Sequence, residues 1–104
     1  METPAVYGKV RYIPSQSKVT IGEKEIALTR TEGLVLQQLM RNVGRVVTYA
    51  SLAQALWGDY YPGAHHALNV YIRRLRQKIE ENPARPEIIH NKPGVGYFLA
   101  KPES

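Results

Sequence analysis

The 104-residue sequence contains no cysteine. That removes disulfide scaffolds and every cysteine-ligated zinc module, the zinc-finger DNA binders included, and it is compatible with a reducing cytoplasm. No stretch approaches the roughly 18 consecutive apolar residues of a membrane helix. The first 30 residues alternate with charges and hold no apolar secretory core. Acidic residues are scarce, nine against fourteen lysines and arginines. None forms an obvious catalytic pair, and Ser51 lacks any nucleophile-elbow context, so no enzyme is predicted. His65, His66 and His90 are the three histidines. Two are helix neighbours pointing about 100° apart, with no carboxylate close in sequence, so neither a metal site nor a cofactor is expected. With a single phenylalanine and no aromatic platform in strand context, RNA or nonspecific single-strand binding is disfavoured.

What is present suits one small domain. Hydrophobic residues make up 43% of the chain, enough for a modest single core. A net charge of +5 favours an anionic partner, nucleic acid first. From Val6 to Leu28 the pattern has period two: "VYGKVRYIP", "KVTIG" and "KEIALT" are broken by Pro14-Ser15-Gln16-Ser17 and Gly22-Glu23, which predicts a three-stranded antiparallel meander. At Thr29 the period changes. Thr29 and Glu32 have the spacing of a capping box, and Leu34, Val35, Leu39 and Val43 form a helical stripe that ends near Asn42-Val43-Gly44. The linker "RVV" is apolar enough to pair or pack. Thr48 caps a second helix carrying Leu52, Leu56 and Trp57, stopped by Gly58. After the loop "GDYYPGA", a third helix is expected over 64–81, closed by Asn82-Pro83. A hairpin over 87–100 follows, built on "PEIIHN", "KPGV" and "GYFLA". The order is strands, three helices, then a hairpin. This α+β arrangement is that of a helix-turn-helix with a wing.

The third helix carries the functional signal. Leu68, Ile72, Leu75 and Ile79 form one apolar stripe, which leaves His66, Ala67, Val70, Arg73, Arg74 and Gln77 on the far face, with Asn69 and Arg76 to one side. A merely solvated basic helix accounts for the arginines but not for Val70 and Ala67. A major-groove reader needs the mixture: small apolar groups reach thymine methyls, arginine binds guanine, asparagine binds adenine, and flanking arginines hold phosphates. Small residues toward the helix start, Ala64 and Ala67, suit insertion of its N-terminal half. Gly94-x-Gly96 is read as a turn pair rather than a nucleotide loop, because neither a third glycine nor a following helix is in place. Lys92 at the hairpin tip suits a phosphate, the minor groove or plain solvent. Trp57 is expected in the core at the end of the second helix, with an indole N–H able to donate to a phosphate. Tyr60 and Tyr61 read as core anchors or as a protein contact.

These motifs together resemble the DNA-binding effector domain of OmpR/PhoB-type response regulators. The likeness covers roughly residues 6–100 and rests on L-T-x-x-E, G-x-V-x-[ST], L-W-G, Y-I-R-R-L-R-x-K and G-V-G-Y in that order. It implies a four-stranded N-terminal sheet, with an extra strand between "RYIP" and "LT". It also implies a recognition helix in the major groove and a wing at the neighbouring minor groove. By position, Ala67, Asn69, Val70 and Arg74 match base-reading places. Trp57, His66, Tyr71, Arg73, Arg76, Asn91, Lys92 and Tyr97 match phosphate-contacting ones. The segment holding Asp59, Tyr60 and Tyr61 matches a loop that faces RNA polymerase. Two positions depart from the family pattern: Pro93 replaces the usual wing arginine, and His66-Ala67 replaces Arg-Thr at the helix start, which implies a different target sequence.

Family members carry a receiver domain answering to a sensor histidine kinase, and they dimerise on tandem half-sites of double-stranded DNA in the cytoplasm. The chain has no room for a receiver. Residues 1–5 therefore read as a linker or tag remnant of an excised effector domain and 101–104 as a tail; a stand-alone protein is the alternative. A different class also remains open, a protein-interaction module that uses the same fold and binds DNA only nonspecifically.

Overall fold

Period-two patterning builds the first layer. The computed structural model describes residues 5–101. In it β1 (Ala5–Tyr7), β2 (Val10–Ile13), β3 (Lys18–Ile21) and β4 (Lys24–Ala27) form an antiparallel sheet in sequential order. Register explains the alternation. Ala5, Tyr12, Val19 and Ile26 lie opposite one another in one apolar row on the helix side, while Val6, Arg11, Thr20 and Glu25 make the row that faces away. The expected three strands are thus four. The run "VYGKVRYIP" splits at Gly8-Lys9, a two-residue turn between paired Tyr7 and Val10, with Gly8 at φ +57° as such turns require. The extra strand therefore lies before "RYIP", not after it. Ala5 belongs to β1, so the linker assignment fails at that residue; its remainder, 1–4, and the tail residues 102–104 lie outside the described residues.

Helix α1 (Arg30–Arg41) starts at the expected capping box. Glu32 N–H donates to Thr29 Oγ1 (3.2 Å) and Thr29 N–H donates to Glu32 Oε1 (2.8 Å). Its buried residues include Val35, Leu36, Leu39 and Met40, whereas Leu34 and Val43 are only half-buried, so the stripe runs differently from the expected one. The cause is coverage from two sides: α1 packs on the sheet and also on the other two helices, which widens its apolar arc. The apolar linker pairs, as β5 (Val47–Thr48), and Thr48 Oγ1 accepts the Ser51 N–H at the start of α2 (Tyr49–Trp57). Gly58 ends α2 in the left-handed region at φ +77°.

Helix α3 (Ala64–Ile79) stops two residues short of the expected end. The residue that ends it is Glu80, whose backbone turns extended and whose buried carboxylate accepts N–H bonds from Glu87, Ile88 and Ile89 at 2.8–3.1 Å. It thereby clasps the strand that follows. The hairpin comprises β6 (Ile89–Lys92) and β7 (Gly96–Leu99), and β7 lies between β6 and β5 in a second, three-stranded sheet. Its tip is Pro93-Gly94-Val95, so Asn91 and Lys92 sit on the strand rather than at the tip. One core joins Val10, Tyr12, Val19, Leu36, Leu39, Leu52, Leu68, Ile72, Leu75, Ile89, Tyr97 and Leu99. An ion pair reinforces it: Lys78 Nζ on α3 lies 2.6 Å from the buried Glu32 carboxylate on α1.

Candidate nucleic-acid interface

The apolar stripe of α3 sets the interface. Leu68, Ile72, Leu75 and Ile79 are at most 4% exposed, so their burial fixes which face looks outward. On that face His66, Asn69, Arg73, Arg74 and Gln77 are exposed, and Ala67 and Val70 are half-buried among them. Val70 belongs to neither the buried core nor the hydrophobics packed against it. Ala64 differs from its expectation, being fully buried and therefore part of the docking side. An outward valine between exposed arginines is the mixture that base edges and thymine methyls call for.

Aromatic contacts prepare part of this face. The Arg74 guanidinium carbon lies 5.8 Å from the Tyr71 ring centroid, a cation–π distance that restrains the side chain. Tyr71 is next to Trp57 (6.3 Å), and Trp57 meets Tyr61 edge-on at 5.3 Å. Trp57 is half-buried at the end of α2. Tyr60 and Tyr61, with Asp59, lie in the exposed α2–α3 loop, so the aromatic run extends from that loop to the recognition face.

The wing is held to α3 by polar groups. Arg76, half-buried, donates through Nη2 to the Ile89 carbonyl (2.9 Å) and to Asn91 Oδ1 (2.7 Å). Burial holds its pKa below the ordinary arginine value, against the opposing influence of Glu80 and Tyr97. Arg76 and Asn91 are therefore struts between helix and wing before any ligand arrives. Lys92 is exposed at the end of β6. Tyr97, expected as a further backbone contact, is 2% exposed, and its hydroxyl donates to Asn69 Oδ1. The Tyr49 ring meets it edge-on at 5.6 Å and lies tilted against His65 at 4.0 Å, contacts that local spacing does not signal. The alternation of Tyr97 and Leu99 with Phe98 was the available sign that Tyr97 points inward. A cleft of about 670 Å³ between α3 and the wing is lined by Asn69, Arg73, Arg76, Gln77, Asn91 and Tyr97, among others.

Residues 23–99 match the family described as "Transcriptional regulatory protein, C terminal". The chain belongs to this family. Similar relatives are the response regulator MprA of Mycobacterium sp. (strain KMS), 42% identical over 86 residues, and that of Mycobacterium avium (strain 104), 41% identical over the same length. Each match covers 83% of this chain but 37% of the relative, so the chain spans little more than a third of those proteins. Among solved structures, the RstA DNA-binding domain of Klebsiella pneumoniae, determined in complex with RstA box, superposes with a TM-score of 0.84 at 26% identity, covering 95% of this chain and 98% of that one. DrrB of Thermotoga maritima, an OmpR/PhoB homologue, gives 0.80 at 30% identity over 94% of this chain and 44% of its own. The family thus shares the four-stranded sheet, three helices and hairpin described above. No helix among the described residues is long and apolar enough to cross a membrane.

Proposed function

We propose that this domain binds double-stranded DNA by sequence and serves as the output domain of a two-component response regulator. The observation that carries the reading is the outward face of α3, where exposed Arg73 and Arg74 follow a half-buried Val70 that the core does not use. A helix of this kind fits the major groove, whose base edges offer both acceptors and methyl groups. Ala67, Asn69, Val70 and Arg74 read bases; Trp57, His66, Tyr71, Arg73 and Lys92 meet phosphates, with Arg76 and Asn91 bracing the wing beside them. Support also comes from the fold shared with a domain crystallised on its DNA box.

In this reading the full-length protein has a receiver domain addressed by a sensor histidine kinase, acts in the cytoplasm, and pairs on tandem half-sites. The Asp59–Tyr61 loop faces RNA polymerase. No catalytic step is assigned to any residue. The test is selection of bound duplexes from a randomised pool at physiological salt. A repeated half-site is the expected product. Binding that yields no motif and vanishes as salt rises would leave α3 an electrostatic surface and favour a protein-interaction module instead.

A further inference from the structure

The wing tyrosine and the recognition-helix asparagine are joined before any DNA is present. Tyr97 lies on β7, buried, with its ring wedged edge-on against Tyr49, while Asn69 lies exposed on α3. The Tyr97 hydroxyl donates to Asn69 Oδ1. An asparagine amide has two faces to offer, a carbonyl that accepts and an NH2 group that donates. Holding the carbonyl toward a buried phenol leaves the NH2 group as the outward one.

We infer that Tyr97 is a positioning residue for base selection: it fixes the Asn69 amide so that Asn69 reads as a hydrogen-bond donor only. This deepens the proposed function and rests on it. Adenine is bound by asparagine in two-point fashion, with the carbonyl accepting from N6 and the NH2 donating to N7. That pairing requires both groups to face the base edge, and here the carbonyl faces Tyr97. The contacts that remain are to acceptors, guanine O6 and N7, thymine O4 or, as a single bond, adenine N7, while cytosine presents only its N4 donor in the major groove. Asn69 therefore gives up the two-point preference for adenine, binds guanine, thymine or adenine through its donor alone, and rejects cytosine.

Two features make the arrangement durable. Burial, with the nearby Tyr49, pushes the Tyr97 phenol up to about 12, so it is a protonated donor throughout the neutral range. Strand β7 is also fixed in place, since Tyr97 pairs with Val47 on one side and Asn91 on the other.

The experiment is selection from a randomised duplex pool with four proteins: the wild-type domain and its Asn69→Ala, Asn69→Asp and Tyr97→Phe variants. Loss of preference at one position in Asn69→Ala identifies the base pair that Asn69 reads. At that position the wild type should show no preference for adenine over guanine or thymine, with cytosine least represented by ~10-fold or more. Asn69→Asp keeps an acceptor for the Tyr97 hydroxyl and turns an acceptor outward, so cytosine should become the favoured base. Tyr97→Phe frees the Asn69 carbonyl, so adenine should gain at that position alone while the rest of the motif stays intact. In the DNA-free domain it should also move the Asn69 side-chain amide resonances. A flat loss of affinity on all duplexes in Tyr97→Phe, with the Asn69 position unchanged, would overturn the inference and return Tyr97 to a backbone-contact or purely structural role. A clear preference for adenine over guanine and thymine, the mark of two-point reading, or a preference for cytosine at that position in the wild type would also overturn it. A wild-type domain that selects no motif would overturn the underlying DNA reading instead, so the two failures are distinguishable.

Discussion

Neighbouring arginines on α3 illustrate how one turn of helix divides labour. Arg74 is restrained over the Tyr71 ring, whereas Arg73 lines the cleft between α3 and the wing with Arg76 and Asn91. The first placement suits a base edge and the second a phosphate. Arg74→Ala is expected to cost ~1–3 kcal/mol on the selected site and to relax preference at one position. Arg73→Ala should weaken every duplex alike and lower the salt slope by about one. Titrations of matched and mismatched duplexes across a salt series measure both. An equal loss on all duplexes for Arg74→Ala would move that residue to the phosphate group. At this scale the sequence was most informative where a side chain contradicted its surroundings. Val70 stood out because period 3.6 placed it opposite the apolar stripe. The hydroxyl contact of Tyr97 with Asn69 was not legible, because 28 residues separate the partners and no local period relates them.

At the scale of elements, capping chemistry was legible and tertiary capping was not. Thr29 with Glu32 announced the start of α1, and Thr48 the start of α2, because both devices act within three residues. The end of α3 was set from outside. Asn82-Pro83 signalled a stop, but the N–H groups of residues 87–89 reach back to the Glu80 carboxylate and end the helix earlier. Glu80→Gln replaces one accepting oxygen with a donor facing other donors, and it should cost ~1–3 kcal/mol in urea unfolding. Amide exchange at residues 87–89 should accelerate while the first turn of α3 stays protected. The β5–β7 pairing makes a second prediction. A Cβ on Gly96 would overlap the Val47 carbonyl oxygen and lie 2.8 Å from Thr48 Cα, both backbone, whereas a Cβ on Gly33 would press chiefly on the outer end of the Tyr12 ring. Gly33→Ala should therefore cost ~1–3 kcal/mol, as overpacking does, and Gly96→Ala more, because a strand cannot turn aside as a ring can. Thermal melts of the two variants compare them directly. The fourth strand was not legible for a different reason: Gly8-Lys9 is too short an interruption to break a period-two run.

For the molecule as a whole, the Glu32–Lys78 pair is a link whose effect depends on pH. Burial opposes the Glu32 charge, yet the Lys78 ammonium and the Thr29 N–H together hold its carboxyl below the ordinary glutamate range. A folded value below the unfolded one means that the stabilisation is complete above the unfolded value, about 4.3, and is lost as pH falls through the folded one. Stability should thus decline below about pH 4.3, and Glu32→Gln should be less stable at neutral pH but flatter across the acid range. Denaturant midpoints from pH 7 to 3 test this, and parallel curves for the two proteins would count against it. The overall architecture was readable from the order of periods alone, strand then helix then strand. The site was readable only in part: the exposed half of α3 follows from its own spacing, whereas the braces to the wing come from a segment folded back upon it.

That folding back has a consequence for anyone seeking to redirect the domain to a new operator. Arg76 is anchored on Ile89 and Asn91, and Asn69 on Tyr97. A recognition helix transplanted from a relative would arrive without the hairpin that aims it, and a donor's reading code would not travel with the donor's helix. On the proposed reading, the unit of inheritance for specificity would be residues 64–99 together, helix and wing as one interchangeable cassette, with the N-terminal sheet as a chassis.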